Sequence, residues 1–281
     1  MVKCFLEPTF KFLCSVSIFL FYTFGYEMLH PVVRIIALNE MYNFLAPKSA
    51  RGRPRTTTAT ELLDALETMC RISQPWWRVR AGSASYKTIH RTFMQMHRVG
   101  VFDRIHKQTT RVYLSRRRPK YHATDTTYIK NICGRDCIGR NPTDRGRNAT
   151  KISSITDDLG VTLTFTLFPG NRSDQIVLPA TLTGFDVPPG MELFADKGYD
   201  SRANRALVCL HGYRDRIGRR GQRKGHNARR KRVVIEHSYA HLKQFRHLRN
   251  RYDHTAASYS AFVSLACAIH TGQVMTSQKI V

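Results

Sequence analysis

The sequence predicts an α/β domain preceded by a small helical unit, and three observations carry that expectation. Val161, Leu163, Phe165 and Leu167 alternate with Thr162, Thr164 and Thr166, the pattern of a half-buried strand. A short apolar run, residues 191–195, stops at Asp196, as a strand does where it enters a turn. Leu62, Leu63, Leu66 and Met69 recur at steps of three and four, which gives one apolar helical stripe.

Taken in order, residues 1–45 are apolar and set apart. Residues 12–26 follow Lys3 and Lys11 and are too short for a membrane span. They have the length of a signal-peptide core but no clear small-residue cleavage site. They are read as an upstream extension of the reading frame, with the working protein starting near Met28 or Met41. Residues 46–60 form a basic linker. Its Arg51-Gly-Arg53-Pro-Arg55 segment fits a narrow A·T-rich minor groove and equally an ordinary linker.

Residues 57–106 read as a helical unit. Threonines supply N-cap oxygens for the Leu62 helix, and Pro75-Trp76-Trp77 breaks it. A second helix is expected over 85–99, with Ile89, Phe93 and Met96 inward and Lys87, His90, Arg91 and Arg98 outward. This pair suits a helix-turn-helix DNA-binding unit and, equally, a plain helical hairpin.

Residues 118–272 read as the α/β domain. Residues 123–130 suit a strand carrying Asp125. Segments 150–157 and 161–167 flank Asp157-Asp-Leu-Gly160, a hairpin-turn signal, and Pro169-Gly170 ends the second arm. After Asp196, Gly198 turns the chain, and Asp200 or Ser201 caps a helix that stops at Gly212. A further helix is expected around Glu236, with Ile235, Leu242, Phe245 and Leu248 inward. No internal repeat is visible.

The chain has 281 residues and a net charge of +25, from 45 Lys and Arg against 20 Asp and Glu. Such an excess calls for an anionic partner, and nucleic acid is the obvious one. With 15 Phe, 12 Tyr and 2 Trp, the chain is too aromatic for a short basic packing protein. Its seven cysteines are scattered, which excludes a disulfide framework. Cys133 and Cys137 offer half a zinc site without a second pair.

Cutting a phosphodiester needs an activated water and a stabilised leaving oxygen, which two Mg²⁺ ions supply. Mg²⁺ prefers carboxylate oxygens, and acids are scarce here. Asp125 lies in an expected strand, Asp196 at a strand end and Glu236 on an expected helix. Arg232 and Lys243 fall within roughly 40° of Glu236 on the wheel, so one face offers a carboxylate flanked by cations. Residues 214–232 add ten Lys or Arg with Asp215 as the sole acid. Singly, each acid also fits a bland role: surface strand residue, turn former, solvated helix position.

Together these motifs resemble the DDE transposases of bacterial insertion sequences, in the family numbered five, and their eukaryotic and viral relatives. The resemblance covers roughly residues 50–270. It rests on Asp125-Thr-Thr, Arg145-Gly146, Thr150-Lys-Ile152, Asp157-Asp-Leu-Gly160, Pro169-Gly-Asn-Arg-Ser-Asp174, Asp196-Lys-Gly-Tyr-Asp-Ser201, the Arg232, Glu236, Lys243 spacing and Arg249-Asn-Arg-Tyr-Asp253. Upstream, Trp77-Arg78, Tyr86-Lys-Thr88 and Gly100-Val-Phe102 fit its N-terminal helical segment.

The resemblance implies a ribonuclease H-like mixed sheet flanked by helices. It implies metal ligation and catalysis by Asp125, Asp196 and Glu236 with two Mg²⁺ (or Mn²⁺) ions. It implies hydrolysis at the ends of a mobile element, then attack of the freed 3′ hydroxyl on target DNA. Arg232 and Lys243 would grip the element end, with Lys87, Arg91, Arg51 and Arg53 as further DNA contacts. Terminal inverted repeats and a target duplex are the expected partners, with a homodimer to hold two ends. The protein is expected where the DNA is: the nucleoid in bacteria, the nucleus otherwise, where the basic stretch 219–232 would serve import. Rival readings are a catalytically silent, domesticated DNA-binding regulator, a nuclease that cuts without joining, and a packing protein.

Overall fold

The structure, a computed structural model, describes residues 29–46, 57–185, 187–221 and 226–280, leaving aside the side chains of 226–229. The apolar run 12–26 and Arg51 and Arg53 of the linker lie outside these residues.

Among the described residues four helices come first: α1 (Pro31–Leu45), α2 (Ala59–Ile72), α3 (Tyr86–Arg98) and α4 (Val101–Arg116). Helix α1 starts on a proline, and buries Val33, Ala37 and Met41. Although the sequence set residues 1–45 apart, this part of them packs into the common core beside α2, α4 and the last long helix. A start at Met41 would remove most of α1.

Helix α2 begins with a capping box. The Thr58 hydroxyl accepts from the Glu61 N–H at 3.2 Å, and Glu61 Oε2 accepts from the Thr58 N–H at 2.9 Å, which satisfies two otherwise unpaired donors. Leu62, Leu63, Leu66 and Met69 are buried, as are Ile89, Phe93 and Met96 of α3, in agreement with the stripes. Lys87, His90, Arg91 and Arg98 are exposed.

The remainder alternates strands and helices: β1 (His122–Asn131), β2 (Gly139–Arg140), β3 (Asn148–Asp157), β4 (Thr162–Pro169), α5 (Asp174–Leu182), β5 (Glu192–Ala195), α6 (Arg202–Leu210), β6 (Arg214–Ile217), α7 (His226–Leu242), α8 (Arg246–Arg249), β7 (Asn250–Arg251) and α9 (Ala256–Ser277). The long strands lie in the order β4–β3–β1–β5–β6, with β2 paired to β3 and β7 to β1. β3 runs antiparallel to β1 and β4; β5 runs parallel to β1, and β6 to β5. This is a mixed, ribonuclease H-like sheet flanked by helices.

The β3–β4 hairpin turns at Gly160, whose φ of +84° suits glycine. Asp157 Oδ1 fastens the turn by accepting from the N–H groups of Leu159 and Val161. Ser201 caps α6 by accepting from the Asn204 N–H at 3.1 Å.

Alternation divides the sheet into two faces. Leu193, Ala195, Ile155 and Leu163 pack with α5 and α6, whereas Phe194, Ile152, Ile129 and Ala123 pack with α7, α9 and the N-terminal helices. Helix α9 is buried on nearly every side. Among the described residues, no helix is long and apolar enough to cross a membrane.

Candidate active site

Strand parity places the first two predicted acids together. Asp125 shares its face of β1 with Ala123 and Ile129, and Asp196 continues the parity of Phe194, so both belong to the α7 side. β1 and β5 pair in parallel with His122 opposite Leu193 and Ala123 opposite Phe194. Carried on by two residues, that register sets Asp125 abreast of Asp196, on strands about 4.8 Å apart. Asp196 stands past the last residue of β5, at the head of a 3₁₀ turn, Lys197–Tyr199, where the short strand opens to solvent.

Helix α7 lies over this pair. Arg232, Glu236, Tyr239 and Lys243 fall in a stripe about 60° wide. Arg232 donates from Nη1 to Asp196 Oδ1 at 3.0 Å and from Nη2 to Asp125 Oδ2 at 3.4 Å. The Tyr239 hydroxyl donates to the backbone carbonyl of Asp125 at 2.6 Å and accepts from Ser154 Oγ at 2.8 Å. Lys243 Nζ donates to Thr127 Oγ1 at 2.7 Å. Three anchors thus fix the helix on β1, and Glu236 rides between them.

Glu236 is exposed. Among the described residues no hydrogen bond reaches it, and no group of three His, Cys, Asp or Glu is close enough together to hold a metal. The structure therefore brings Asp125 and Asp196 together and leaves Glu236 on the same face, one helical turn beyond Arg232. The cysteines offer no zinc cluster among these residues either, and Cys133 and Cys137 are free thiols.

The electrostatics favour a cation between the two aspartates. Burial pushes the Asp125 carboxyl above its ordinary range, opposed by the Thr126 N–H and by Arg232. The Arg232 guanidinium supplies the positive charge that the pair demands, yet its own Nε is buried without a partner among the described residues. Hard carboxylate oxygens around a cationic position are the donor chemistry of a Mg²⁺-type ion, and the residues present fit one. Burial also lowers the pKa of Lys243.

Other predicted cations are distributed differently. Lys87 and Arg91 stand exposed on α3, which packs mainly on neighbouring helices. Within the basic stretch, Arg216 and Lys231 are tied to Glu192 at 2.8 and 3.2 Å, and Asp215 is held, together with Asp200, by Arg205 of α6. The sequence reading missed Tyr239 as an anchor. Its position seven residues past Arg232 and Ser154's place on β3 were the available signals, but only the sheet pairing joins them.

A basic α/β protein with paired carboxylates under a cationic helix has the architecture of a metal-dependent enzyme acting on DNA phosphodiesters. The family described as "Transposase DDE domain" matches residues 134–270, which include Asp196 and Glu236; Asp125 lies just upstream. A putative transposase for insertion sequence element IS402 of Burkholderia cepacia is 32% identical over 145 residues, covering 48% of this chain and 69% of that protein. The transposase for insertion sequence element IS1106 of Neisseria meningitidis serogroup B is 29% identical over 119 residues, 41% of each chain. The chain belongs to the DDE transposase family, and membership implies divalent-metal chemistry on DNA. Among solved structures, the piggyBac transposase synaptic complex with hairpin DNA gives a TM-score of 0.49 at 9% identity, over 91% of this chain and 77% of that one. The pre-cleavage Mos1 transpososome gives 0.27 at 12% identity, over 96% and 95%. Likenesses of that size add no weight to the assignment.

Proposed function

We propose that this transposase, of the family-five type, cleaves the ends of a mobile element and joins them to target DNA, with Asp125, Asp196 and Glu236 as its metal ligands. The observation that carries the reading is the pairing of Asp125 and Asp196 on one cation beneath the helix that presents Glu236. These carboxylates would hold Mg²⁺ or Mn²⁺, two ions in all. When bound, the metal would activate the attacking oxygen and stabilise the leaving one.

The chain's own residues define the rest. Tyr239 and Lys243 hold α7 over β1, so Glu236 stays on the helix face above Asp125 and Asp196. Arg232 balances the two aspartates and is freed for a phosphate oxygen once another cation takes its place. Lys243, a residue-pair stripe away, offers a second phosphate contact. Exposed Lys87 and Arg91, with Arg51 and Arg53, would extend the grip along the duplex from the helical unit at 57–106, whose described helices share their core with the catalytic domain at 118–272. Terminal inverted repeats and a target duplex are the substrates, two copies hold the paired ends, and the protein works in the compartment that holds the DNA.

The test is Mg²⁺-dependent cleavage and strand transfer on DNA carrying the sequences that flank the gene, with parent beside Asp196→Asn. The expected outcome is cutting and joining by the parent, and binding without either by the variant. Equal binding with no cleavage by both would replace the enzyme with a silent DNA-binding regulator.

A further inference from the structure

One carboxylate near the site belongs to none of the roles above. Asp174 opens α5, on the opposite face of the sheet from Asp125. Parity establishes the side: Thr126 sits across from Ser153 and Tyr128 across from Lys151, and Ser153 Oγ accepts from Thr181 of α5 at 2.8 Å. Asp174 is therefore no ligand for an ion held by the side chains of Asp125 and Asp196.

It does reach the backbone neighbours of both. Asp174 Oδ1 accepts from the Thr126 hydroxyl at 3.0 Å, and the Thr126 N–H in turn donates to Asp125 Oδ1 at 2.8 Å. Its other oxygen, Oδ2, lies against Gly198, where an added Cβ would stand 3.1 Å from it. Gly198 is two residues past Asp196, in the same 3₁₀ turn. The next residue, Gln175, donates to the carbonyl of Asp200 at 3.2 Å and fastens the end of that turn.

Asp174 is itself held from below. Lys151 Nζ donates to Asp174 Oδ1 at 3.0 Å and to the Arg172 carbonyl at 2.5 Å, and lies 4.9 Å from the Tyr128 ring centre. The Lys151 side chain is only 3% exposed. A lysine so buried is tolerated only when paired and hydrogen-bonded. Four of the sequence motifs, Asp125-Thr-Thr, Thr150-Lys-Ile152, Arg-Ser-Asp174 and Asp196-Lys-Gly, thus meet at one carboxylate.

We propose that Asp174, braced by Lys151, is a positioning residue that sets the spacing of Asp125 and Asp196 through Thr126 and Gly198. It hydrogen-bonds the residue after one aspartate and stands against the turn after the other, where an added methyl at Gly198 would press on it, and so supports two ligands from behind the sheet. Groups that orient metal ligands commonly matter about 10–100-fold for metal affinity. The inference rests on the metal-ligand reading of these aspartates.

The experiment titrates Mn²⁺ into the full-length chain by calorimetry, without DNA, for the parent, Thr126→Val, Thr126→Ser and Gly198→Ala. Thr126→Val removes only the hydroxyl and leaves the Asp174–Lys151 pair whole; Thr126→Ser restores it. Metal-free thermal unfolding is recorded for each. The expected result is affinity about tenfold weaker in Thr126→Val, weaker also in Gly198→Ala, and parental in Thr126→Ser, with unfolding temperatures within about 2 °C. Parental affinity in Thr126→Val overturns the inference, as does a loss shared by Thr126→Ser or explained by loss of the fold. A parent that binds no Mn²⁺ instead sinks the metal-ligand reading and this inference with it.

Discussion

Two arginines of this chain, Arg251 and Arg232, sit in similar company and are treated in opposite ways. Arg251 is wholly buried and fully engaged. It donates to the Asp136 carboxylate at 2.5 Å and carbonyl at 2.7 Å, to Thr150 Oγ1 at 2.8 Å, and to the carbonyls of Asp253 and His254. It ties β7 and the loop after β1 into one corner. Arg232 keeps 12% of its side chain exposed, spans two carboxylates at 3.0 and 3.4 Å and leaves Nε without a partner among the described residues. A guanidinium with every donor used is structural; one that bridges two acids with a donor in hand is poised to exchange partners.

The comparison is sharpened most by removing Arg251. Arg251→Met strips five hydrogen bonds from the corner and should cost about 3 kcal/mol or more, read by urea unfolding. A loss under 1 kcal/mol would mean that the corner is not structural in the sense argued.

Unpartnered buried atoms also occur far from the carboxylates, on neutral rings. His122 Nε2 and His270 Nδ1 have no partner among the described residues, and burial pushes both rings down from an ordinary 6.5 to about 4. The unfolded chain then binds more protons than the folded one between those values, so stability is lost as pH falls from 6.5 towards 4. Each ring accounts for on the order of 3 kcal/mol of that loss. His270→Leu should flatten the acid side of a stability–pH curve by one proton; an unchanged slope would show that the ring charges freely in place.

The smallest effect on stability belongs to Arg232. In metal-free protein Arg232→Gln should cost less than Arg251→Met, because Asp125 and Asp196, left facing each other, keep 22% and 32% of their side chains exposed and one of the two can take up a proton. Cleavage should nevertheless fall about 100-fold or more, the scale of losing one charge-stabilising donor. A large stability loss with unaltered cleavage would place Arg232 with Arg251.

Much of this was legible in the sequence because it depended on local pattern. The strand ending at Asp196 and the stripes through Leu62 and Ile89 reappear in the fold, but the alternation at 161–167 does not: the pairing shifts register between Ile155 and Thr156 and leaves Leu163 unpaired, so Val161 and Leu163 pack on the α5 face and Phe165 and Leu167 on the other. The expected helix around Glu236 continues only to Leu242, yet Phe245 and Leu248 beyond it are still buried. What escaped was pattern diluted by tertiary context. Helix α4 buries His106, Thr109, Thr110 and Tyr113 beside Ile105, so its inward face reads as polar, and α9 is buried on almost all sides and shows no stripe. Helix α1 escaped for the same reason as α9: its apolar residues are spread around it, so it shows no one-sided stripe.

For the site, the nearness of Asp125 and Asp196 depends on a parallel register between strands far apart in sequence, which no local pattern encodes. Asp174 was visible only as part of a motif. Its connection to Thr126 and Gly198 exists only once the sheet is assembled.

The measurement that tests the central claim most directly is a metal-switch experiment on Asp196→Cys, with element-end cleavage followed in Mg²⁺ and then in Mn²⁺. Thiolate is a poor ligand for Mg²⁺ and a better one for the softer Mn²⁺. If Asp196 holds the metal, the variant is inactive in Mg²⁺ and regains cleavage in Mn²⁺, while the parent uses both. A variant that cuts equally well in either metal would contradict ligation by Asp196.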